Sequence, residues 1–136
     1  MRYISTRGAA PVLDFDGALL TGLARDGGLY LPESWPQFSH DEIRAMRALS
    51  YQELAVRIMT PYVDGAMSEA ELCDLVTDSY KDFGHVAVAP LKQLDSSLWF
   101  MELFHGPTLA FKDYPLQFLG RAFDHVLERK GRRVTI

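Results

Sequence analysis

The feature that most constrains the fold is a serine followed three residues later by a glutamate, which occurs three times between residues 39 and 71. In this pattern each side chain can accept a hydrogen bond from a free backbone amide at a helix start, so each copy predicts a helix N-terminus. The copies are Ser39 with Glu42, Ser50 with Glu53, and Ser68 with Glu71. We therefore predict that residues 40–80 form a helical unit.

Apolar or small residues follow each predicted start at intervals of three or four, as expected for the buried face of an amphipathic helix. They are Ile43 and Met46, then Leu54, Ile58 and Met59, and then Leu72, Leu75, Val76 and Ser79. Pro61 and Gly65 are predicted to separate the second helix from the third, because both residue types disfavour helix interiors.

After residue 80 the pattern changes to short strands. Val86–Val88 and Leu98–Met101 are rich in β-branched, aromatic and aliphatic residues, and we predict a strand at each. Asp95–Ser97 precedes the second strand and is typical of a turn.

A last helix is predicted to begin near Asp113 or Tyr114 and to end at Gly131, a typical helix stop. Its apolar residues fall on two faces, so we expect both faces to be covered. One face carries Leu116, Leu119, Phe123, Val126 and Leu127, and the other carries Phe118 and Ala122. Residues 132–136 are predicted to begin a strand. A helix followed by a strand is how a parallel sheet continues, so we expect an α/β fold and a fragment of a longer chain.

Composition narrows the class of protein. The 136 residues are 48% hydrophobic, which is typical of a soluble globular domain. A net charge of −4 and a pI near 5.5 argue against nucleic-acid or anionic-membrane partners, and no apolar run approaches the ~20 residues that span a bilayer. Cys73 is the only cysteine, so no internal disulfide is possible and a cytoplasmic location is expected. We expect Cys73 to be buried as a small apolar residue.

Lys112 is either a solvated lysine near a helix start or a reactive amine, and three local features count against the solvated interpretation. Its neighbours Leu109–Phe111 are apolar or small, and Gly106–Thr108 is a turn-forming sequence that leads into the last helix. Pro115 is tolerated only in a first helical turn, so Lys112 falls at the junction. The positive end of a helix dipole disfavours a second cation, which favours the neutral amine that forms a Schiff base with an aldehyde.

Two stretches resemble one enzyme family. MELFHGPTLAFKDYP, residues 101–115, resembles the pyridoxal-phosphate lysine segment of threonine synthases, and more loosely that of the β-family that includes serine and threonine dehydratases. RYISTRG at residues 2–8 and FDGALLTGLARDGGLYLPE at residues 15–33 resemble the amino-terminal signature of threonine synthases, which the dehydratases lack. Residues 36–90 are similar mainly in their helical character.

The resemblance implies a fold type II pyridoxal-phosphate enzyme. It implies an amino-terminal, mainly helical domain at residues 1–90, and at residues 91–136 the first strands and helix of the cofactor-binding α/β domain, which is truncated. The implied reaction is that of a carbon–oxygen lyase acting on phosphate, which converts O-phospho-L-homoserine and water to L-threonine and phosphate. Lys112 is the implied catalytic residue, which holds pyridoxal 5'-phosphate covalently and moves protons, and Phe111 would pack beside the cofactor.

Three residues next to Lys112 receive roles from their positions. Asp113 is expected to cap the last helix. Thr108 and His105 either line the site or stabilise the turn, and the turn role is favoured.

The amino-terminal motif leaves similar alternatives. Ser5, Thr6 and Arg7 match the family pattern, and Arg7 either binds an anion or makes a structural hydrogen bond or ion pair, the second being favoured. Gly27–Gly28 is a poor phosphate cradle, because no strand-to-helix context surrounds it. The groups that bind the cofactor phosphate and ring are therefore expected beyond residue 136. The segment alone is expected to be inactive and to need the rest of the same polypeptide.

Other readings stay open. His125 and Glu128 lie three apart on one helix face without further ligands nearby in sequence, so no metal site is predicted. The alternatives to a threonine synthase are a related pyridoxal-phosphate lyase acting on serine or threonine, and a non-catalytic α/β binding module that keeps the lysine loop as a structural turn. Substrate-binding residues are not assigned.

Overall fold

A computed structural model describes residues 1–134 as a mixed α/β chain of two compact units. The first unit comprises residues 1–48 with 56–72, and the second comprises residues 49–55 with residue 73 onward. The predicted domain boundary at residue 90 stays a prediction. The strands are β1 (Tyr3–Ser5), β2 (Tyr30–Pro32), β3 (Leu91–Gln93) and β4 (Trp99–Met101). The helices are α1 (Phe15–Thr21), α2 (His40–Ala45), α3 (Tyr51–Val63), α4 (Glu69–Tyr80) and α5 (Asp113–Lys130), with a short 3-10 turn at Met46–Ala48.

All three helix starts predicted from Ser-x-x-Glu are confirmed. At the start of α2, the Ser39 backbone amide donates to Glu42 Oε2 at 2.8 Å, and the Glu42 amide donates back to Ser39 Oγ at 3.2 Å. The same reciprocal pair forms before α3 and α4, where the serine amide donates to the glutamate at 2.7 Å. These local bonds satisfy amides that would otherwise lack partners at the helix starts.

The buried faces of these helices were predicted only in part. On α4, Leu72 and Val76 are fully buried, as the helical spacing predicted. On α2 and α3 the prediction was wrong for Ile43 and Ile58, which are exposed, whereas Val56 is buried. The reason is that spacing along a helix identifies an apolar stripe but does not say which part of it meets a neighbour.

Pro61 was wrongly predicted to end the second helix. α3 continues through Pro61 to Val63, because a proline in the last turn removes only one backbone hydrogen bond. The chain turns at Gly65 instead, which has φ of 79°, and the Ala66 amide donates to Val63 O at 2.8 Å. A positive φ of this kind is readily adopted by glycine.

The amino-terminal part of the first unit is a two-stranded antiparallel sheet that sequence reasoning did not predict. β1 pairs with β2, with Tyr3 opposite Pro32 and Ser5 opposite Tyr30. The Tyr3 hydroxyl donates to Tyr62 O at 2.7 Å, and burial with the nearby Tyr62 raises the pKa of Tyr3 to about 12. Tyr3 therefore stays protonated as a hydrogen-bond donor at neutral pH.

The second unit contains a β-hairpin. β4 confirms the predicted second strand, and β3 pairs with it antiparallel, with Leu91 opposite Met101. The predicted turn is also confirmed, since Asp95 Oδ1 accepts from the Ser97 and Leu98 amides at 2.8 Å. Sequence reasoning missed β3.

The strand predicted at Val86–Val88 is wrong. These residues form a turn in which the Val88 amide donates to His85 O at 2.8 Å, and Val88 has φ of 56°. That φ is incompatible with a strand and is rare for a β-branched residue. Val86 is exposed, so it contributes no strand face to a core.

α5 begins at Asp113 and ends before Gly131, as predicted. Gly131 has φ of 59°, and the Arg132 amide donates to Leu127 O at 3.0 Å. Among the described residues, Val126 of one predicted face and Ala122 of the other are buried, whereas Leu116 and Leu119 are exposed, so the expected burial is only partial.

Two further points concern the end of the chain and its helices. Arg132–Val134 are not in a strand, and the rest of the predicted last strand lies outside the described residues. None of the helices formed by residues 1–134 is both long enough and apolar enough to cross a lipid bilayer.

Candidate active site

Lys112 lies at the end of a series of tight turns that lead into α5. The Leu109 amide donates to Gly106 O at 3.1 Å, which closes the predicted Gly-Pro-Thr turn, and the Asp113 amide donates to Ala110 O at 3.0 Å. Lys112 itself already has helical dihedral angles, with φ of −66° and ψ of −16°. The sequence thus places the lysine at a junction whose backbone is fixed on both sides.

The Lys112 amine is exposed. Within the part of the chain that is described, the interaction found for its Nζ atom is with the Phe111 ring, whose centroid lies 5.3 Å away. A cation–π contact at an exposed site contributes only about 0.5–1 kcal/mol. The amine thus makes one weak contact among the described residues, and the ring that it contacts, Phe111, is itself exposed.

Asp113 has a different role from the one predicted. Its carboxylate does not cap α5 but accepts from the preceding loop, with the Thr108 amide donating to Oδ2 and the Thr108 hydroxyl to Oδ1, both at 2.8 Å. Lys112 occupies the position before the helix, so the Asp113 side chain faces back toward the turn. Burial would raise the pKa of Asp113, but hydrogen bonds from Thr108 and Ala110 outweigh burial and lower the pKa.

Gly106 is required by this arrangement. A Cβ atom at Gly106 would collide with Cβ and Oδ2 of Asp113, and both residues are buried. The absence of a side chain at Gly106 lets the loop backbone approach the first residue of α5.

A ladder of aromatic side chains anchors the start of α5. The rings of Tyr80, Phe83 and Tyr114 meet edge to face, with centroids 5.3 and 5.0 Å apart. The Tyr114 hydroxyl donates to Val88 O at 2.6 Å, and the Tyr80 hydroxyl donates to Tyr114 O at 2.9 Å. Burial, with the neighbouring Tyr51, raises the pKa of Tyr80 well above its ordinary range, so this hydroxyl remains a donor.

His105 and Thr108 make the contacts expected of turn-stabilising residues. His105 Nε2 lies 2.9 Å from Glu102 Oε2, and its backbone oxygen accepts from the Gly84 amide at 2.7 Å. The His105 ring lies 5.1 Å from the His85 ring. The contact of His105 with Glu102 and the bond of the Thr108 hydroxyl to Asp113 account for these two side chains without a bound substrate.

The hairpin of the second unit carries large apolar side chains on both faces, and none of its strand residues is buried among the described residues. The exposed apolar residues of this unit between residues 91 and 116 are Leu91, Leu94, Leu98, Trp99, Phe100, Met101, Phe104, Leu109, Phe111 and Leu116. Exposed apolar surface of this extent is typical of a region that contacts another protein segment or a ligand.

The amino-terminal motif is organised around Asp26, which sequence reasoning missed. Ser5 Oγ donates to both Asp26 carboxylate oxygens, at 2.8 and 2.9 Å, and the Ala9 amide donates to Oδ2 at 2.9 Å. Arg7 Nη1 donates to Asp26 O at 3.1 Å, which supports the structural role for Arg7. Burial would raise the pKa of Asp26, but hydrogen bonds from Gly28, Ser5 and Ala9 hold the pKa below its ordinary value. The Asp-Gly-Gly sequence was the signal available for this cluster.

Gly27–Gly28 does not form a phosphate cradle. The Gly28 amide donates to Asp26 Oδ1 at 2.9 Å, and a Cβ atom at Gly28 would collide with Ser5 Oγ. Thr6 Oγ1 accepts from the Leu29 amide at 3.0 Å. The polar groups of this loop are thus bonded to one another.

Two remaining candidates add no chemistry to the site. Cys73 is exposed, so its predicted burial was wrong: it follows Leu72 on α4 and lies about 100° around the helix from that buried residue. His125 and Glu128 lie on α5. Among residues 1–134, no group of three or more His, Cys, Asp or Glu side chains could hold a metal ion.

Comparisons with known proteins agree on one family. The sequence model described as "Threonine synthase N terminus" matches residues 2–80. Threonine synthase from Pseudomonas aeruginosa is 55% identical over 136 residues, which is 100% of this chain and 29% of that protein.

Solved structures give the same result. The crystal structure of PLP-bound threonine synthase from Brucella melitensis has a TM-score of 0.95 and 53% identity, over 98% of this chain and 29% of that one. Threonine synthase from yeast has a TM-score of 0.88 and 40% identity, over 95% of this chain and 27% of that one.

The chain therefore spans less than a third of the length of these relatives. Its fold is that of the amino-terminal part of threonine synthase structures, which are fold type II enzymes. The family model alone covers more than half of the chain. This chain belongs to the threonine synthase N-terminus family.

Proposed function

We propose that the polypeptide containing this chain is a cytoplasmic threonine synthase, a lyase that uses pyridoxal 5'-phosphate to convert O-phospho-L-homoserine and water to L-threonine and phosphate. The observation that carries the proposal is the exposed Lys112 amine on a rigid junction. It occurs in a chain that is 53% identical to a PLP-bound threonine synthase. We also propose that the amino-terminal, mainly helical domain of this chain ends at residue 90 and that the cofactor-binding domain begins at residue 91.

The residues present fit the cofactor. A primary amine without an ion pair among the described residues is the group that condenses with an aldehyde, and the exposed Phe111 ring offers a flat apolar surface beside it. Bound pyridoxal phosphate supplies an electron sink that stabilises negative charge on the substrate carbons. We assign Lys112 as the catalytic residue that holds the cofactor, and Phe111 as a cofactor-binding residue.

Lys112 also suits the proton transfers that the reaction requires. Phosphate leaves from the γ carbon and water adds at the β carbon, so protons must be removed from and returned to neighbouring carbons. One amine on a flexible four-carbon side chain can act as base at one carbon and as acid at the next. The bonds around Gly106 and Asp113 hold the backbone still while the side chain moves.

The rest of the same polypeptide completes the site in this proposal. The polar groups of the Gly27–Gly28 loop are already bonded within that loop, so a phosphate cradle must come from elsewhere. The exposed apolar hairpin β3–β4 needs a covering element. The 136-residue chain alone is therefore proposed to lack activity and to bind the cofactor weakly.

The test is phosphate release and L-threonine formation by the complete parent polypeptide supplied with O-phospho-L-homoserine, run beside Lys112→Ala. Lys81→Ala is the matched control, because Lys81 makes an exposed ion pair with Asp78. We expect Lys112→Ala to lower kcat by about 10³-fold or more, while Lys81→Ala leaves kcat unchanged.

Other substrates separate the alternatives. Turnover of L-serine or L-threonine without turnover of O-phospho-L-homoserine would identify the related lyase. A parent polypeptide that leaves every amino acid unchanged would contradict the enzyme assignment and favour a binding module.

A further inference from the structure

We propose that Asp113 is a positioning residue for Lys112, because its buried carboxylate ties the Gly106–Ala110 loop to the first turn of α5 and so fixes where the amine is presented. The inference rests on the proposed function. It assigns to Asp113 no contact with substrate or cofactor.

The side chains next to Lys112 in the sequence do not fix the position of the lysine. Leu109, Phe111 and Lys112 are all exposed, and Leu109 has φ of 62°, a conformation that is uncommon without glycine. The position of the lysine therefore depends on backbone bonds and on the residue that follows it.

The Asp113 carboxylate links the Gly106–Ala110 loop to α5 by hydrogen bonds. Both carboxylate oxygens of Asp113 accept from Thr108, Oδ2 from the amide and Oδ1 from the hydroxyl, at 2.8 Å each. The bonds span the turn on the amino-terminal side of Lys112, while the backbone of Asp113 belongs to α5. The carboxylate thus joins the two segments between which the lysine lies.

This link between the loop and α5 depends on an aspartate side chain at position 113. Thr108 presents an amide N–H and a hydroxyl; an asparagine in place of Asp113 accepts from the amide only and must donate to the hydroxyl oxygen, so two charge-assisted bonds become weaker neutral ones. The Asp113 side chain also packs directly against Gly106, because a Cβ atom at Gly106 would collide with it. Aspartate satisfies both the donors and the space.

The experiment compares Asp113→Asn with Asp95→Asn in the complete parent polypeptide. Asp95 is a matched control, since it also accepts from two backbone amides, but in the hairpin turn. Three quantities are measured: the rate at which added pyridoxal phosphate becomes fixed to the protein by borohydride, the pH midpoint of the bound cofactor's visible absorbance, and kcat with KM.

We expect Asp113→Asn to slow covalent attachment of the cofactor and to shift the absorbance midpoint, because the amine is displaced. The kcat should fall by about 10-fold to 100-fold, as expected when a reacting group is misplaced by about 1 Å, and KM should change little. Asp95→Asn should leave all three quantities as in the wild type. Thr108→Val, which keeps the amide donor, should give an intermediate effect and serves if Asp113→Asn does not fold.

Several outcomes overturn the proposal. It fails if Asp113→Asn and Thr108→Val both keep the wild-type attachment rate, midpoint and kcat, or if Asp95→Asn is equally impaired. A parent polypeptide that fixes the cofactor but lacks synthase activity contradicts only the proposed reaction, and the attachment rate and midpoint still decide the role of Asp113. A parent that fixes no cofactor at Lys112 overturns both.

Discussion

Two loops of this chain are each organised around one aspartate carboxylate, and they differ in which side chains they leave unbonded. In the amino-terminal loop, Asp26 accepts from Ser5, Ala9 and Gly28, and the Arg7 guanidinium donates to the backbone of Asp26. The side chains of Ser5, Arg7 and Asp26 are thus bonded within the loop itself.

In the lysine loop, the Asp113 carboxylate likewise accepts from the Thr108 amide and the Thr108 hydroxyl. Here the hydrogen bonds hold only the backbone and the turn. Lys112 and Phe111 remain exposed, with no hydrogen bond to the lysine amine among the described residues.

We propose that this difference separates a structural loop from a loop that presents a reactive group. Both segments contain a basic residue in a family motif, Arg7 in one and Lys112 in the other. Only the bonding around each residue distinguishes a guanidinium that stabilises its own loop from an amine that is available for chemistry. The following variants test that distinction, in order of decreasing effect.

Gly106→Ala should be the most disruptive change, because the added Cβ atom collides with Asp113. Overpacking of this kind costs about 1–3 kcal/mol in the free energy of unfolding. The measurement is the urea midpoint of the parent polypeptide. Gly84→Ala is the control, since its Cβ would lie an ordinary 3.7 Å from His105 O and should change the midpoint little. Equal midpoints for the two variants would show that the lysine loop is not tightly packed.

Asp26→Asn should lower stability in a pH-dependent way. The pKa of Asp26 is lower in the folded state than the ordinary value of about 3.9, so the ionised carboxylate stabilises the fold fully above about pH 3.9. That stability is lost as the pH falls through the lowered pKa. We therefore expect the urea midpoints of wild type and Asp26→Asn to differ at pH 7 and to converge in acid. A constant difference would contradict the assigned hydrogen bonds.

Ser5→Ala should destabilise the protein more than Thr108→Val. Each variant removes one hydroxyl that donates to the central aspartate, but Ser5 is buried whereas Thr108 is exposed. The expected cost for Ser5→Ala is about 1 kcal/mol, with a smaller cost for Thr108→Val. Thermal unfolding of the two variants measures both. The reverse order would mean that the amino-terminal loop is the weaker of the two.

Arg7→Ala should have the smallest effect. The Arg7 side chain is exposed and, among residues 1–134, makes one hydrogen bond, of 3.1 Å to Asp26 O, so we expect a cost of about 0.5 kcal/mol or less. The KM for O-phospho-L-homoserine should stay within about twofold of wild type. A large rise in KM would instead identify Arg7 as an anion-binding residue.

Features fixed by neighbouring residues were predictable from the sequence. The capping pairs such as Ser39 with Glu42, the start of α5 at Asp113 and its stop at Gly131 all depend on contacts within a few residues. The Gly-Pro-Thr turn before Lys112 is another local feature. These local features confirm that capping and turn residues determine much of where a helix begins and ends.

Features fixed by distant residues were missed or mistaken. Val88 was predicted in a strand, but its conformation depends on Tyr114, which lies 26 residues later and binds its carbonyl group. The Asp26 cluster joins residues up to 21 positions apart, and no local pattern pairs Asp26 with Ser5. Asp113 was mistaken for a helix cap because its position fits a cap, whereas its bonds run back to Thr108.

The most direct test of the central claim is the identity of the lysine that carries the cofactor. The complete parent polypeptide is incubated with pyridoxal phosphate, reduced with borohydride and digested, and the peptides are mapped by mass spectrometry. We predict that the cofactor mass lies on the peptide that contains Lys112. Cofactor fixed to a different lysine, or no fixed cofactor at all, would contradict the account.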